Sequence, residues 1–218
     1  KQKSRDSLRH PEILFLIIPS RSWCELLRKE FLGDAENPEI SLFPYNIVLI
    51  GFMGAGKSTI AGMMHEAFSM EVIEMDQVIA DQQGMSIPEI FEKYGEEYFR
   101  DLETNLLIDM QARQNVIISC GGGVALRERN VKEMKRNGKV VFLTASPETI
   151  LERVRDDDDR PLLNGHKNVE YISRMMETRR PKYEAAADFI ISTDGKSSYD
   201  ICREIVSELQ RASKTQTE

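Results

Sequence analysis

The stretch Asn46-Ile-Val-Leu-Ile-Gly51-Phe-Met-Gly54-Ala-Gly56-Lys57-Ser58-Thr59 decides how the rest of the chain is read. Its first five residues form an apolar run without alternation, the pattern of a strand buried on both faces. Gly51–Ser58 then fits the spacing G-x4-G-K-[ST]. Glycines there permit a tight turn and close backbone approach, so that several N–H groups converge on an anion. A helix predicted over Lys57–Phe68 points the positive end of its dipole at the same place. In this reading Lys57 reaches the β- and γ-phosphates of a nucleotide, and the Ser58 hydroxyl ligates its magnesium ion. Gly51, Gly54, Ala55, Gly56, Lys57, Ser58 and Thr59 are the candidate ATP-binding residues of this loop.

Outward from this unit the pattern repeats. Val72–Met75 reads as a second strand. Ser86-Ile-Pro88-Glu89 is a capping box with proline in the first turn, so a helix starts there. A further helix is predicted over Glu96–Ala112, with Phe99, Leu102, Leu106 and Met110 on its apolar stripe. Val116–Ser119 is a third strand, followed by Gly121–Gly123 and a charged helix stopping near Gly138. Val140–Leu143 is a fourth strand, and Ser146-Pro147 opens the next helix. Asp156–His166 is a polar, acidic loop, Tyr171–Arg180 a helix and Phe189–Ile191 a fifth strand. Ser197 caps a final helix expected to end near Gln210. Apolar strands separated by helices predict a parallel sheet with helices on both faces. Residues 46–212 make one domain. Residues 1–45 do not share its rhythm, offering one apolar run (Ile13–Ile18) and a predicted helix (Trp23–Phe31). They read as a linker or the remnant of an upstream domain, and 213–218 as a tail.

Composition narrows the function. The chain has 218 residues and a formal net charge of −7, which argues against sequence-independent binding to nucleic acid. A small anionic substrate is still admitted, because a few converging arginines make a local positive pocket. Cys24, Cys120 and Cys202 lack metal-ligand spacing and read as reduced thiols. No apolar run reaches the length of a membrane span. A cytoplasmic monomer without membrane or nucleic-acid partners is the expectation, with membership of a larger fused polypeptide left open.

Several residues are candidates for the phosphate acceptor's side. Asp76, placed at the end of the second strand, points into the crevice where α/β sheets bind ligands and is suited to accept a proton from an attacking hydroxyl. Read alone, it serves equally as a turn or helix cap. Arg100 and Glu103 lie three apart on one helix, the spacing of a surface ion pair and also of a guanidinium held rigid to grip a carboxylate. Gly121, Gly122 and Gly123 let a ligand approach the backbone, or simply turn the chain. Arg160, closing the loop after Asp156–Asp159, is suited to cover the nucleotide and stabilise the transferring phosphoryl group. Arg179 is either a surface arginine or a second clamp on an anion. His10, His65 and His166 have no partner spacing.

GFMGAGKST (51–59), DQQGMSIPEIFEKYGEEYFRDLE (81–103), GGGV (121–124), RPLL (160–163) and RRPKYE (179–184) occur in one order, and in that order the chain resembles the shikimate kinases from about Asn46 to Gln210. The resemblance implies a P-loop, nucleoside-monophosphate-kinase-like α/β fold, a three-layer sandwich around a central five-stranded parallel sheet. It implies transfer of the γ-phosphoryl group of ATP, with Mg²⁺, to the 3-hydroxyl of shikimate, a step toward chorismate and the aromatic amino acids. It further implies that Asp76, Arg100, Gly122 and Arg179 contact shikimate, with Glu103, Gly121 and Gly123 beside them. Arg160 would be the lid arginine and Arg153 would lie near the adenine. Catalysis would rest on Lys57, Asp76 and Arg160. Glu74 stands where the family usually has aspartate, at a position associated with the metal. Two other readings remain at this stage. One is a related small-molecule kinase such as a gluconate kinase. The other is a P-loop module that binds nucleotide without catalysis.

Overall fold

The computed structural model describes residues 20–33, 43–155 and 168–215. Helix α1 (Ser20–Leu32) precedes β1 (Asn46–Ile50), α2 (Lys57–Phe68), β2 (Glu71–Glu74), α3 (Met75–Gln83) and α4 (Ile87–Asp109). Then follow β3 (Val116–Ser119), α5 (Glu128–Arg136), β4 (Gly138–Thr144), α6 (Pro147–Val154), α7 (Val169–Ala186), β5 (Phe189–Ser192) and α8 (Ser198–Thr215). The five strands form one sheet of order β2-β3-β1-β4-β5, parallel throughout. The sandwich inferred from sequence is therefore the fold found.

Strand β1 shows why the sheet is central. All five of its residues are buried, and strand alternation sends them to opposite faces. Ile47 and Leu49 join Met64 of α2 and Leu209 of α8 in one core. Val48 and Ile50 join Leu107 of α4 and Tyr183 of α7 in the other. β1 pairs with β3 on one side and β4 on the other. The strand order thus reverses beside β1, so the crevice beyond its carboxyl end is where a ligand is expected.

Four elements depart from the sequence reading. Asp76 lies in the first turn of α3, because β2 stops at Glu74 and the chain turns helical at once. The single capped helix and its successor merge into α4, broken only at Gly95 (φ 83°, ψ 169°), a conformation that glycine adopts without strain. Helix α7 continues to Ala186 although Pro181 lies inside it. Proline costs a helical hydrogen bond, but Ile172, Tyr183 and Ala186 are all buried along α7 and hold it together. Helix α8 runs to Thr215, beyond the expected end.

The described part of the N-terminal segment packs into the domain. α1 lies against α2 and α8. Leu27 is fully buried and Cys24 nearly so, in the same core as Met64 and Leu209. The rings of Trp23 and Tyr199 meet at a tilt with centroids 5.0 Å apart, and Glu30 accepts from Arg203 at 2.7 Å. The boundary drawn at residue 45 from sequence does not coincide with a boundary in the packing.

Candidate active site

The phosphate loop leaves β1 through Gly51 (φ 144°), where an added Cβ would stand 2.4 Å from the Leu143 carbonyl oxygen. Only glycine fits so close to β4. Helix α2 begins after Gly56 with no side chain capping its first amides, so those donors face the loop's concavity as an anion site requires. The Lys57 ammonium donates to the carbonyls of Gly51 and Phe52 at 3.0 and 3.1 Å. It thereby braces the loop from inside. A cavity of about 730 Å³ opens here. Its walls are Gly54–Ile60, Glu74, Asp76, Gln77, Ser119–Gly122, Arg153, Thr193, Lys196, Ser198 and Ile201. Arg153 donates to Gly54 O at 3.2 Å and to Thr193 Oγ1 at 3.0 Å, tying the loop to the segment after β5.

Ser58 Oγ donates to Glu74 Oε2 at 3.0 Å. A hydroxyl and a carboxylate in contact at the cavity wall are hard oxygen donors, as Mg²⁺ prefers. No group of three or more His, Cys, Asp or Glu is placed to hold a metal among the described residues. Mg²⁺ commonly takes one or two protein oxygens and completes its shell with phosphate and water.

The acceptor side is organised by the three-glycine turn after β3, and a different side chain meets each glycine. A Cβ on Gly121 would stand 2.6 Å from Asp76 Oδ1 and 2.9 Å from Glu103 Oε1. One on Gly123 would stand 2.2 Å from Arg100 Nη1. Gly122 offers its carbonyl to the Tyr183 hydroxyl. The absence of side chains lets Asp76, Glu103 and Arg100 close on the backbone. Asp76, Gly121 and Gly122 also line the cavity beside Lys57.

Arg100 is buried and held from two sides. Nη1 donates to Glu103 Oε2 at 2.9 Å, and Nη2 to Glu96 Oε1 at 2.7 Å. Glu96 escaped the sequence reading, although its place four residues before Arg100 was a usable signal. Glu103 is fully buried. Burial pushes its carboxyl up to about 7, with Arg100 pulling the other way and Asp76 adding to the rise. Thr104 and Asn130 were also missed. Thr104 Oγ1 donates to Asn130 Oδ1 at 2.7 Å, and Asn130 Nδ2 to Val124 O at 2.9 Å, which locks α4 to the end of the glycine turn.

The guanidinium of Arg179 lies 5.6 Å over the ring of Phe52 in the phosphate loop. Its buried Nη1 has no hydrogen-bond partner among the described residues. A buried cationic donor left in this way is a place for an anion. Arg160 falls outside the described residues, as do His10 and His166. His65 bonds the Met70 carbonyl at 2.7 Å, remote from the cavity's lining. Cys120 is buried and its thiol is pushed up by burial, so it is no nucleophile. No described helix is long and apolar enough to cross a membrane.

Known proteins resemble this chain in sequence and in fold. Residues 53–210 match the family model of shikimate kinase. The chain is 41% identical over 165 residues to a shikimate kinase of Persephonella marina, covering 76% of this chain and 99% of that one. A solved structure of shikimate kinase from Acinetobacter baumannii in complex with shikimate superposes with a TM-score of 0.76 at 31% identity, covering 81% of this chain and 98% of that one. A gluconokinase from Sinorhizobium meliloti, with a TM-score of 0.53 at 19% identity over 80% of this chain and 97% of its own, shares the fold.

Proposed function

The chain belongs to the shikimate kinase family, and we propose that it phosphorylates the 3-hydroxyl of shikimate with ATP, giving 3-phosphoshikimate and ADP on the route to chorismate. One observation carries this reading most directly: the buried Arg179 Nη1 makes no hydrogen bond among the described residues while its guanidinium sits over Phe52 of the phosphate loop, Arg100 packs on Gly123 of the neighbouring turn, and both positive charges act on Tyr183 between them. Two guanidinium groups so placed suit a single carboxylate, and the phosphate loop beside them suits the donor.

The loop amides and Lys57 cradle the β- and γ-phosphates of ATP. Arg153 and Thr193 form the wall on the side of the base. Ser58 and Glu74 would hold Mg²⁺, which neutralises phosphate charge when bound. Arg100 and Arg179 fix the shikimate carboxylate, while Asp76 meets the ring hydroxyls at the other end and aligns the reacting one. The hydroxyl oxygen forms a bond to the γ-phosphorus as the bond to the β,γ-bridging oxygen breaks. The hydroxyl proton passes to Asp76, and ADP leaves with the electron pair. Little covalent work is asked of the protein, so positioning and charge stabilisation supply most of the rate. Arg160 is assigned to cover the transferring group, and Glu103 with Glu96 to hold Arg100 still.

A coupled ADP-release assay with shikimate, with gluconate and without acceptor tests the reading. Turnover with shikimate alone is expected. Equal turnover with gluconate, or release that needs no acceptor, would overturn it.

A further inference from the structure

Tyr183 has no role in the mechanism above, yet it touches both halves of the site. It lies four residues after Arg179 on α7, so the two share a face. Its side chain is 2% exposed, with its ring 5.0 Å from that of Phe142 of β4. Its hydroxyl donates to the Gly122 carbonyl at 2.5 Å. Gly122 in turn abuts the phosphate loop: a Cβ there would stand 3.6 Å from Met53 N and 3.8 Å from Gly51 O. Helix α7 therefore meets the donor side twice, through Arg179 over Phe52 and through Tyr183 to Gly122.

We propose that Tyr183 is a positioning residue that fixes the spacing between the Arg179 clamp and the phosphate loop, and so between the acceptor's carboxylate and its phosphoryl donor. The proposal rests on the acceptor assignment above. Three observations support it. The hydroxyl is the only polar atom of a buried ring, and a buried hydroxyl without a partner is costly, so its bond to Gly122 is strongly enforced. Burial raises the phenol above its ordinary value while the positive charge of Arg179 opposes the rise, so the group stays a proton donor at neutral pH. Pro181 lies between Arg179 and Tyr183 and removes one internal helix bond. The tie to Gly122 secures the helix just beyond that point. A misplacement of about 1 Å at the reacting centre costs up to roughly a hundredfold in rate.

Tyr183→Phe tests this, because the ring still packs on Phe142. Kinetics with each substrate varied should show kcat/KM for shikimate falling roughly tenfold or more, the loss expected for one buried hydrogen bond. The KM for ATP should stay within about twofold, well under the 1.4 kcal/mol that a tenfold change represents. A parallel rise in the KM for ATP would mean a loosened fold and overturn the proposal, as would wild-type kinetics. The same substitution in an Arg179→Ala background should then cost less than about threefold, since the clamp it positions is gone. An undiminished loss there would show Tyr183 acting independently of Arg179 and would overturn it too. If Arg179→Ala alone leaves shikimate kinetics unchanged, the acceptor assignment itself fails, a result that the single variants tell apart.

Discussion

Gly123→Ala is the sharpest single perturbation of the proposed acceptor site. Gly123 has φ −101° and ψ −12°, which alanine adopts without strain, so the effect is confined to the added methyl group. That methyl would stand 2.2 Å from Arg100 Nη1, 2.4 Å from Cζ and 2.6 Å from Nη2, where ordinary contact begins near 3.4 Å. The guanidinium must retreat by more than 1 Å, and its 2.9 Å bond to Glu103 cannot survive. A charge-assisted hydrogen bond is worth roughly 1.5–3 kcal/mol. For a chain of this length that converts to a fall in Tm of about 3–12 °C. Loss of a properly aimed Arg100 should weaken shikimate binding about tenfold to a hundredfold, with ATP affinity little changed. The stability gap should depend on pH. Glu103 titrates near 7 in the fold, so at pH 5.5 it is protonated with or without the methyl group and the gap is small. At pH 8.5 the variant must leave an ionised buried carboxylate without its partner, and the gap is widest. Thermal melts at the two pH values and calorimetric titration with shikimate measure both effects. Wild-type melting and wild-type shikimate affinity in the variant would refute the claim that Arg100 is seated on this turn.

Asp76→Asn keeps the shape of the side chain and removes its charge, so kcat should drop by about a hundredfold or more while shikimate affinity changes less than tenfold; a kcat within a few-fold of wild type would deny Asp76 its proton-accepting role. Glu103 titrates near 7 in the fold against an ordinary 4.5, so the fold holds its proton more tightly than the unfolded chain does. That contribution is complete below pH 4.5 and lost as pH rises through 7, up to about 3 kcal/mol. Glu103→Gln should therefore gain stability relative to wild type between pH 5 and 8, and a difference constant with pH would contradict it. Leu27→Ala, in a side chain with no exposed surface, should cost about 2–5 kcal/mol in denaturant unfolding and leave kcat/KM within a few-fold at a temperature where the variant is folded.

The sheet and the phosphate loop were legible because both are local. An unbroken apolar run, a glycine spacing and a helix start are each written within a dozen residues around Asn46–Thr59. The proposed acceptor site draws on α3, α4, the turn after β3 and α7, which only the tertiary fold brings together. Residue spacing alone could therefore not separate Arg100 and Glu103 from a surface ion pair; burial separates them. Asp76 reads from sequence as a strand end because it follows the predicted strand Val72–Met75 directly, and the helical turn that takes it up carries no cap signal, since Glu74 makes no capping bond. The helix predicted over Tyr171–Arg180 ends short of Pro181, whose local cost is visible in sequence while the burial that overrides it is not. Tyr183 lies beyond the helix predicted over Tyr171–Arg180, and its carbonyl partner lies 61 residues away.

Helix α1 has a practical consequence for anyone who moves this domain between proteins. The stretch matched by the family begins at residue 53, whereas Cys24 and Leu27 already belong to the core that includes Met64, Cys202 and Leu209. A chimera or fusion joined just before β1 would leave a bare apolar strip along α2 and α8. An uncovered strip of that kind invites self-association, and the P-loop lysine and serine sit at the head of one of the two helices that carry it. Grafts should be joined upstream of Ser20, so that the helix that covers the strip travels with it.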